Sequence, residues 1–154
     1  MDVFTYRPGE VVLTLCGYVI EGWSSIAVAP SSPVFKQIKG IRGKHTRVKL
    51  QDKAGTIKIA LLQTSIANDV LSELLSLDRA TGTGRLEVVL KDTAGTSLFS
   101  STTAYIEAFP EVTFSASQTE RNWTILCDSM DSHFVGGNAE QGVDLASIIA
   151  RLGN

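Results

Sequence analysis

Cysteine and histidine are scarce in this chain, and that scarcity removes whole classes of chemistry. Among 154 residues there are only Cys16 and Cys127, His45 and His133. Two cysteines so far apart make neither a disulfide framework nor a zinc site. Both fall on expected strands, where they read as buried free thiols acting as small hydrophobes; the alternative is a bond formed later, outside the cell. Neither histidine has a Cys, His or carboxylate partner at ligand spacing, so both read as surface or turn residues. No run of about 18 apolar residues is present, so no membrane-spanning helix is expected. The opening Met1-Asp2-Val3-Phe4-Thr5-Tyr6-Arg7-Pro8 lacks the basic segment and apolar core of a secretory signal, and synthesis in a reducing cytoplasm is the expectation.

Catalytic patterns are missing as well. There is no G-x-S-x-G elbow, phosphate loop or H-E-x-x-H, and no carboxylate pair in an apolar setting. Gly82-Thr83-Gly84 leads into a strand where a nucleotide-binding loop would lead into a helix, so it reads as a turn. Gly136-Gly137-Asn138 could form an anion nest, but ordinary loop chemistry is by far the better explanation. No catalysis, cofactor or metal is expected.

What is present is an ordinary globular composition, 44% hydrophobic and 19% charged, with a net charge of −2. One domain over 1–154 follows from the length, with a long loop at about 30–46 and a C-terminal extension at about 139–154. The charge is unevenly spread. Between Glu21 and Asp52 there is no acid, while Lys36, Lys39, Arg42, Lys44, Arg47 and Lys49 supply six positive charges. From 101 to 150 the only base is Arg121, against seven acids: Glu107, Glu111, Glu120, Asp128, Asp131, Glu140 and Asp144. Opposed blocks of this kind describe surfaces. Stacking of bases on the basic block would need interleaved aromatics, and Phe35 stands alone, so a solvated loop or a protein contact fits better than nucleic acid.

Alternation marks Val11–Ile20 and Ser24–Ala29 as strands, with a turn at Glu21-Gly22. Pro30-Ser31-Ser32-Pro33 breaks regular structure, and 34–45 reads as a loop with Phe35 and Ile38 as apolar anchors. Thr46–Gln51 and Thr56–Leu62 are expected to form a hairpin around Asp52-Lys53-Ala54-Gly55, where Gly55 would supply a positive φ. An amphipathic helix over about 65–78 follows, with Ser65 as its N-cap and Val70, Leu71 and Leu74 as core anchors on a stripe shared with Ile66 and Leu75. Strands are expected at Arg85–Lys91, Thr102–Phe109, Val112–Ala116 and Asn122–Asp128. Asp92-Thr93-Ala94-Gly95-Thr96 repeats the earlier Asp-x-Ala-Gly-Thr turn. Trp123 is in phase with Ile125 and Cys127 on one face. A short helix capped by Asp144 and ended by Gly153 closes the chain. About eight short strands and one central helix imply a mainly β, antiparallel sandwich or barrel-like domain.

Taken in order, these features resemble the tail tube protein of contractile-tailed bacteriophages, over about residues 10–138. The set comprises Gly17-x-x-Ile20-x-Gly22, the two Asp-x-x-Gly turns, the helix within Gln63–Asp78, and Ala104-Tyr105-Ile106 running to Pro110. Trp123-Thr124-Ile125 and Val135-Gly136-Gly137-Asn138 complete it. The resemblance, which extends in fold to type VI secretion tube proteins, implies two packed antiparallel sheets with a helix at the side. It implies a homo-hexamer stacking into a helical tube, with sheath protein outside and tape-measure protein or DNA inside. It further implies a structural virion protein of the phage tail, assembled in the host cytoplasm and active in genome ejection, with no membrane partner. A tube initiator or cap, or a secretion-type tube protein, is the neighbouring alternative; a small nucleic-acid-binding β-sandwich is the distant one. Ring stacking needs two complementary ends, for which the basic block and the acidic back half are candidates. The expected inter-ring residues are Phe35, Lys36, Ile38, Lys39, Arg42 and Lys44. The C-terminal helix and the strongly basic loop depart from the family pattern.

Overall fold

The alternating burial along Val11–Leu15 places Leu13 and Leu15 in the core with Thr14 turned away, and this pattern recurs through the molecule. The computed structural model describes residues 5–137 and 145–152. Within them lie ten strands and two α-helices: β1 (Val11–Leu15), β2 (Tyr18–Val19), β3 (Trp23–Pro30), β4 (Phe35–Lys39), β5 (His45–Lys49), β6 (Gly55–Leu62), α1 (Ala67–Thr81), β7 (Leu86–Asp92), β8 (Leu98–Ile106), β9 (Glu120–Cys127), β10 (Ser132–Phe134) and α2 (Leu145–Leu152). An antiparallel sheet runs β2-β1-β7-β8-β9-β6-β3, with β10 beside the first half of β8; β4 and β5 form a separate two-stranded ribbon. The fold is mainly β, as the short alternating segments imply.

The inward face of the sheet meets α1. Ile57, Ile59 and Leu61 of β6, Trp123 and Ile125 of β9, and Val88 and Leu90 of β7 close over Ala67, Leu71 and Leu75 of the helix. The fully buried line on α1 is therefore Ala67–Leu71, continued by Leu75 at 9% exposure. Leu74 packs against the rim of the core, Val70 is half-buried, and Ile66 is exposed. Trp123 is buried, as its phase implies, and its indole N–H donates to Asn68 Oδ1 at 3.0 Å, while the Asn68 amide donates to the carbonyls of Leu62 and Ser65. One asparagine thus ties the helix start to two strands.

The helix begins one turn's edge later than expected and runs three residues further, to Thr81. Ile66 already has helical angles (φ −68°, ψ −17°), and the Ala67 N–H donates to Ser65 Oγ at 3.2 Å, so the capping oxygen is that of Ser65. The Ser65 hydroxyl in turn donates to the Glu21 carbonyl at 2.5 Å. Gly22 (φ +78°) lies against it; a Cβ there would come within 2.8 Å of Ser65 Cβ, so both conformation and space demand glycine. Gly82 ends the helix in the left-handed region, its N–H donating to the Asp78 carbonyl.

Several expectations are corrected. The strand expected over Val11–Ile20 turns back at Cys16 and Gly17, both with positive φ (51° and 84°), making a two-residue hairpin of the mirror-image type that suits strand twist. Cys16 is consequently an exposed turn residue, not a buried strand residue; Cys127 is buried and both are free. The loop expected over 30–46 contains the β4–β5 ribbon. β5 pairs back with β4, so the hairpin expected between Thr46–Gln51 and Thr56–Leu62 does not form; β6 pairs with β3 and β9 instead. Gly55 does not take a positive φ: it opens β6, where a Cβ would press on Met130 at 3.0 Å. Val112–Ala116 is not a strand, because residues 107–119 find no ladder partner. The expected cap Asp144, the terminal Gly153 and Asn138 lie outside the described residues.

Candidate assembly surfaces

The β4–β5 ribbon leaves the body where β3 ends and β6 begins. Its base is tied by Asp52, whose Oδ1 accepts from the Ala54 N–H at 3.0 Å and whose Oδ2 accepts from the Ser32 hydroxyl at 2.9 Å. Those two bonds, the backbone one first, hold the Asp52 carboxyl below its ordinary value of 3.8. At the tip, Gly43 (φ +87°) donates to the Gly40 carbonyl and the Gly40 N–H to that of Lys44. Every residue from Val34 to Arg47 is exposed, so the ribbon does not lie down on its own body.

Directly opposed residues of an antiparallel pair share a face. The register therefore sorts the ribbon. Phe35, Gln37 and Lys39 share one face with Lys49, Arg47 and His45, and the Arg47 guanidinium sits 4.3 Å from the centre of the Phe35 ring. Lys36 and Ile38 share the other face with Val48 and Thr46, and Arg42 belongs to the turn. The residues expected as one inter-ring set are thus divided: Phe35 and Lys39 on the cationic face, Lys36 and Ile38 on the more apolar face, Arg42 and Lys44 at the tip.

Strand register also fixes what lies at the far end. Pro30 pairs with Gly55 and Gly55 with Cys127 at the ribbon's end of the sheet, while Trp23 pairs with Leu61 and Leu62 with Glu120 at the other. The eight residues of β6 separate these ends by roughly 25 Å. Residues 107–119 climb to the far end: the Glu107 N–H donates to the Thr124 carbonyl, the Phe109 ring meets Trp123 edge-on at 6.4 Å, and Thr119 donates to Gln63 Oε1. Glu21, Glu111 and Glu120 are exposed there, with Asp69 in the first turn of α1. The acidic back half is not one surface, however. β9 carries the chain back across the sheet, so Asp128 flanks the ribbon's end with Met130, whose N–H donates to the Lys53 carbonyl. Sequence order alone cannot separate Glu111 and Glu120 from Asp128 and Asp131; pairing does, and it leaves Glu107 between the two groups, level with Thr124.

A third feature is edge rather than charge. β3 bonds only to β6, leaving one side of an eight-residue strand without a ladder partner among the described residues. Such an edge is available for another chain. Phe114, 84% exposed with Arg121 5.4 Å from its ring centre, is a surface group that sequence reading missed. The strand expected over Val112–Ala116 gives no sign of it. Among the described residues no group of three His, Cys, Asp or Glu could hold a metal ion.

An eight-stranded antiparallel sheet with a flanking helix and a projecting two-stranded ribbon defines the class. The fold is that of tube-associated proteins of contractile injection systems: it is similar to the tube-terminating cap of the anti-feeding prophage (TM-score 0.59, 11% identity, 84% of this chain and 91% of that one). It is equally similar to a chain of the PVC extracellular contractile injection system sheath–tube complex in the extended state (0.59, 10%, 87% and 92%) and less so to the PVC sheath/tube terminator (0.50, 11%, 89% and 99%). At such identities the likeness concerns fold alone. No protein-family model matches the chain. In sequence it is 30% identical over 161 residues, 97% of this chain and 92% of the other, to structural protein ORF10 of Pseudomonas phage KPP10. The chain belongs to the family of that phage structural protein.

Proposed function

We propose that this protein is a structural, non-enzymatic subunit of a contractile phage tail, forming stacked hexameric rings around a channel through which the genome passes. The observation that carries the reading is the opposition of two ends: a basic ribbon at one end of the sheet and a set of exposed glutamates at the other. A surface that complements a different surface on the same molecule makes head-to-tail contacts, and these build filaments where rotation alone does not close them. Lateral closure would use the open side of β3, since pairing with a neighbour removes the exposed edge. Sheath protein outside and tape-measure protein or DNA inside would be the partners in the virion, with assembly in the host cytoplasm.

A second reading is that of a tube cap or terminator, favoured by a likeness to a terminating cap as strong as that to a sheath–tube chain. A tube subunit polymerises without limit, whereas a cap forms a ring and stops growth. Negative-stain microscopy and analytical ultracentrifugation of the purified protein separate the two. Tubes support the first reading and isolated rings the second; monomers across concentration and salt would overturn both. Salt-dependent DNA binding by a monomer would instead favour a nucleic-acid module.

A further inference from the structure

We infer that segment 107–119 of one copy is the seat for the β4–β5 ribbon of a second copy, an inference that rests on the head-to-tail reading above. The segment has no regular structure, yet it is held. Thr119 Oγ1 accepts from the Arg121 guanidinium and is within 2.9 Å of the Thr113 carbonyl, while Ser115 Oγ donates to the Ser117 carbonyl. With the Phe109–Trp123 contact and the Gln63 bonds, both ends of the segment are anchored to the sheet. An anchored loop would ordinarily turn its aromatics inward. This one leaves Phe114 84% and Val112 49% exposed, with Glu111 next to Val112 and the Arg121 guanidinium, held by Thr119, 5.4 Å from the Phe114 ring.

The ribbon supplies the matching chemistry. Its apolar face offers Ile38, 51% exposed, with Lys36 on the same side and Arg42 and Lys44 at the tip. Apolar contact is needed for strength, because exposed ion pairs are individually weak, and the pairing of Lys36 and Arg42 with Glu111 and Glu120 sets orientation. The ribbon does not rest on the segment of its own chain. It departs from the end of β6 opposite to that where the segment finishes at Glu120, and none of its residues from Val34 to Arg47 is covered by the body. Its partner is thus another molecule, and a second copy carries acids and apolar groups in the right combination. The division of the ribbon into two faces leaves Phe35, Arg47 and Lys49 outside this contact.

Cross-linking between two differently tagged variants tests the assignment. In a Cys16→Ser background, Ile38→Cys is mixed with Val112→Cys and treated with a short bismaleimide. A heterodimer band from the mixture, absent from either variant alone and from a mixture of Ile38→Cys with Glu73→Cys on α1, is the expected result. A charge exchange provides an independent reading. Lys36→Glu with Arg42→Glu should raise the concentration needed for stacking about tenfold, and Glu111→Lys with Glu120→Lys in the same chain should restore it. Stacked polymers that give no Ile38–Val112 product and no rescue would overturn the seat while leaving the assembly reading intact. Monomers at every concentration, with no product, would sink both.

Discussion

Cys16 shows how a single residue can be placed by its neighbours against its own preference. It takes φ 51° because the two-residue turn from Leu15 to Tyr18 needs positive φ at both central positions. A side chain other than Asn, Asp or Gly adopts that region at a cost of about 1 kcal/mol. Cys16→Asn should therefore stabilise the protein by about that amount, read as a higher midpoint of urea unfolding; an unchanged or lower midpoint would contradict the turn type. The two thiols should also react differently. Burial pushes the Cys127 thiol above its ordinary pKa, with the Ser101 hydrogen bond opposing, whereas Cys16 is exposed. A thiol reagent at neutral pH should titrate Cys16 quickly and Cys127 only on unfolding. Asp52 gives the pH dependence of the ribbon's base. Its folded pKa is depressed, so the stability it lends is present above the ordinary carboxylate value and is lost as pH falls through the lowered one. The ribbon should loosen only below about pH 4, detectable as faster amide exchange at Ala54; loosening at neutral pH would argue against that tie.

At the scale of elements, α1 is held by one face and one asparagine. Leu71 is wholly enclosed, so Leu71→Ala should cost about 2–5 kcal/mol, while Leu74→Ala, at the rim of the core, should cost less. Asn68→Ala would leave the buried Trp123 N–H without its acceptor and should cost about 1–3 kcal/mol. Thermal or urea denaturation ranks the three; if Leu74→Ala proved the costliest, the helix would be seated on a different stripe. The two Asp-x-Ala-Gly-Thr segments carry a wider point. In both, the aspartate accepts from the N–H two residues on, Ala54 in one and Ala94 in the other. Only the second closes a hairpin, between β7 and β8; the first merely joins the ribbon to β6. Local chemistry repeats the bend, and the choice of partner strand does not follow from it.

For the whole molecule, the proposed head-to-tail contact predicts directional assembly. Reversing Lys36, Lys39, Arg42 and Lys44 to Glu should leave β3-edge pairing intact and abolish stacking, so that rings form without tubes. Tubes formed normally by that variant would return the ribbon to the status of a solvated projection. Assembly of the unaltered protein should also weaken with rising salt, because the pairs at the two ends are exposed to solvent. Electrostatic contacts of this sort set register and partner choice more than strength.

The sequence by itself determined what is local. Alternating apolar residues specify strands, the i, i+4 stripe specifies α1, Gly82 ends it, and the phase of Trp123 with Ile125 and Cys127 places the indole inside. These follow because backbone geometry turns spacing into a face within a few residues. The ordered set of such features was enough to suggest the tail tube family. Tertiary structure alone decided the pairing of β5 with β4, the turn at Cys16, the absence of a strand at Val112–Ala116, and the sorting of acids between two ends. Each depends on which distant segment supplies the hydrogen bonds or closes the space. The ribbon was hardest to read because both its faces meet solvent, and a strand with no buried side carries no hydrophobic alternation to betray it.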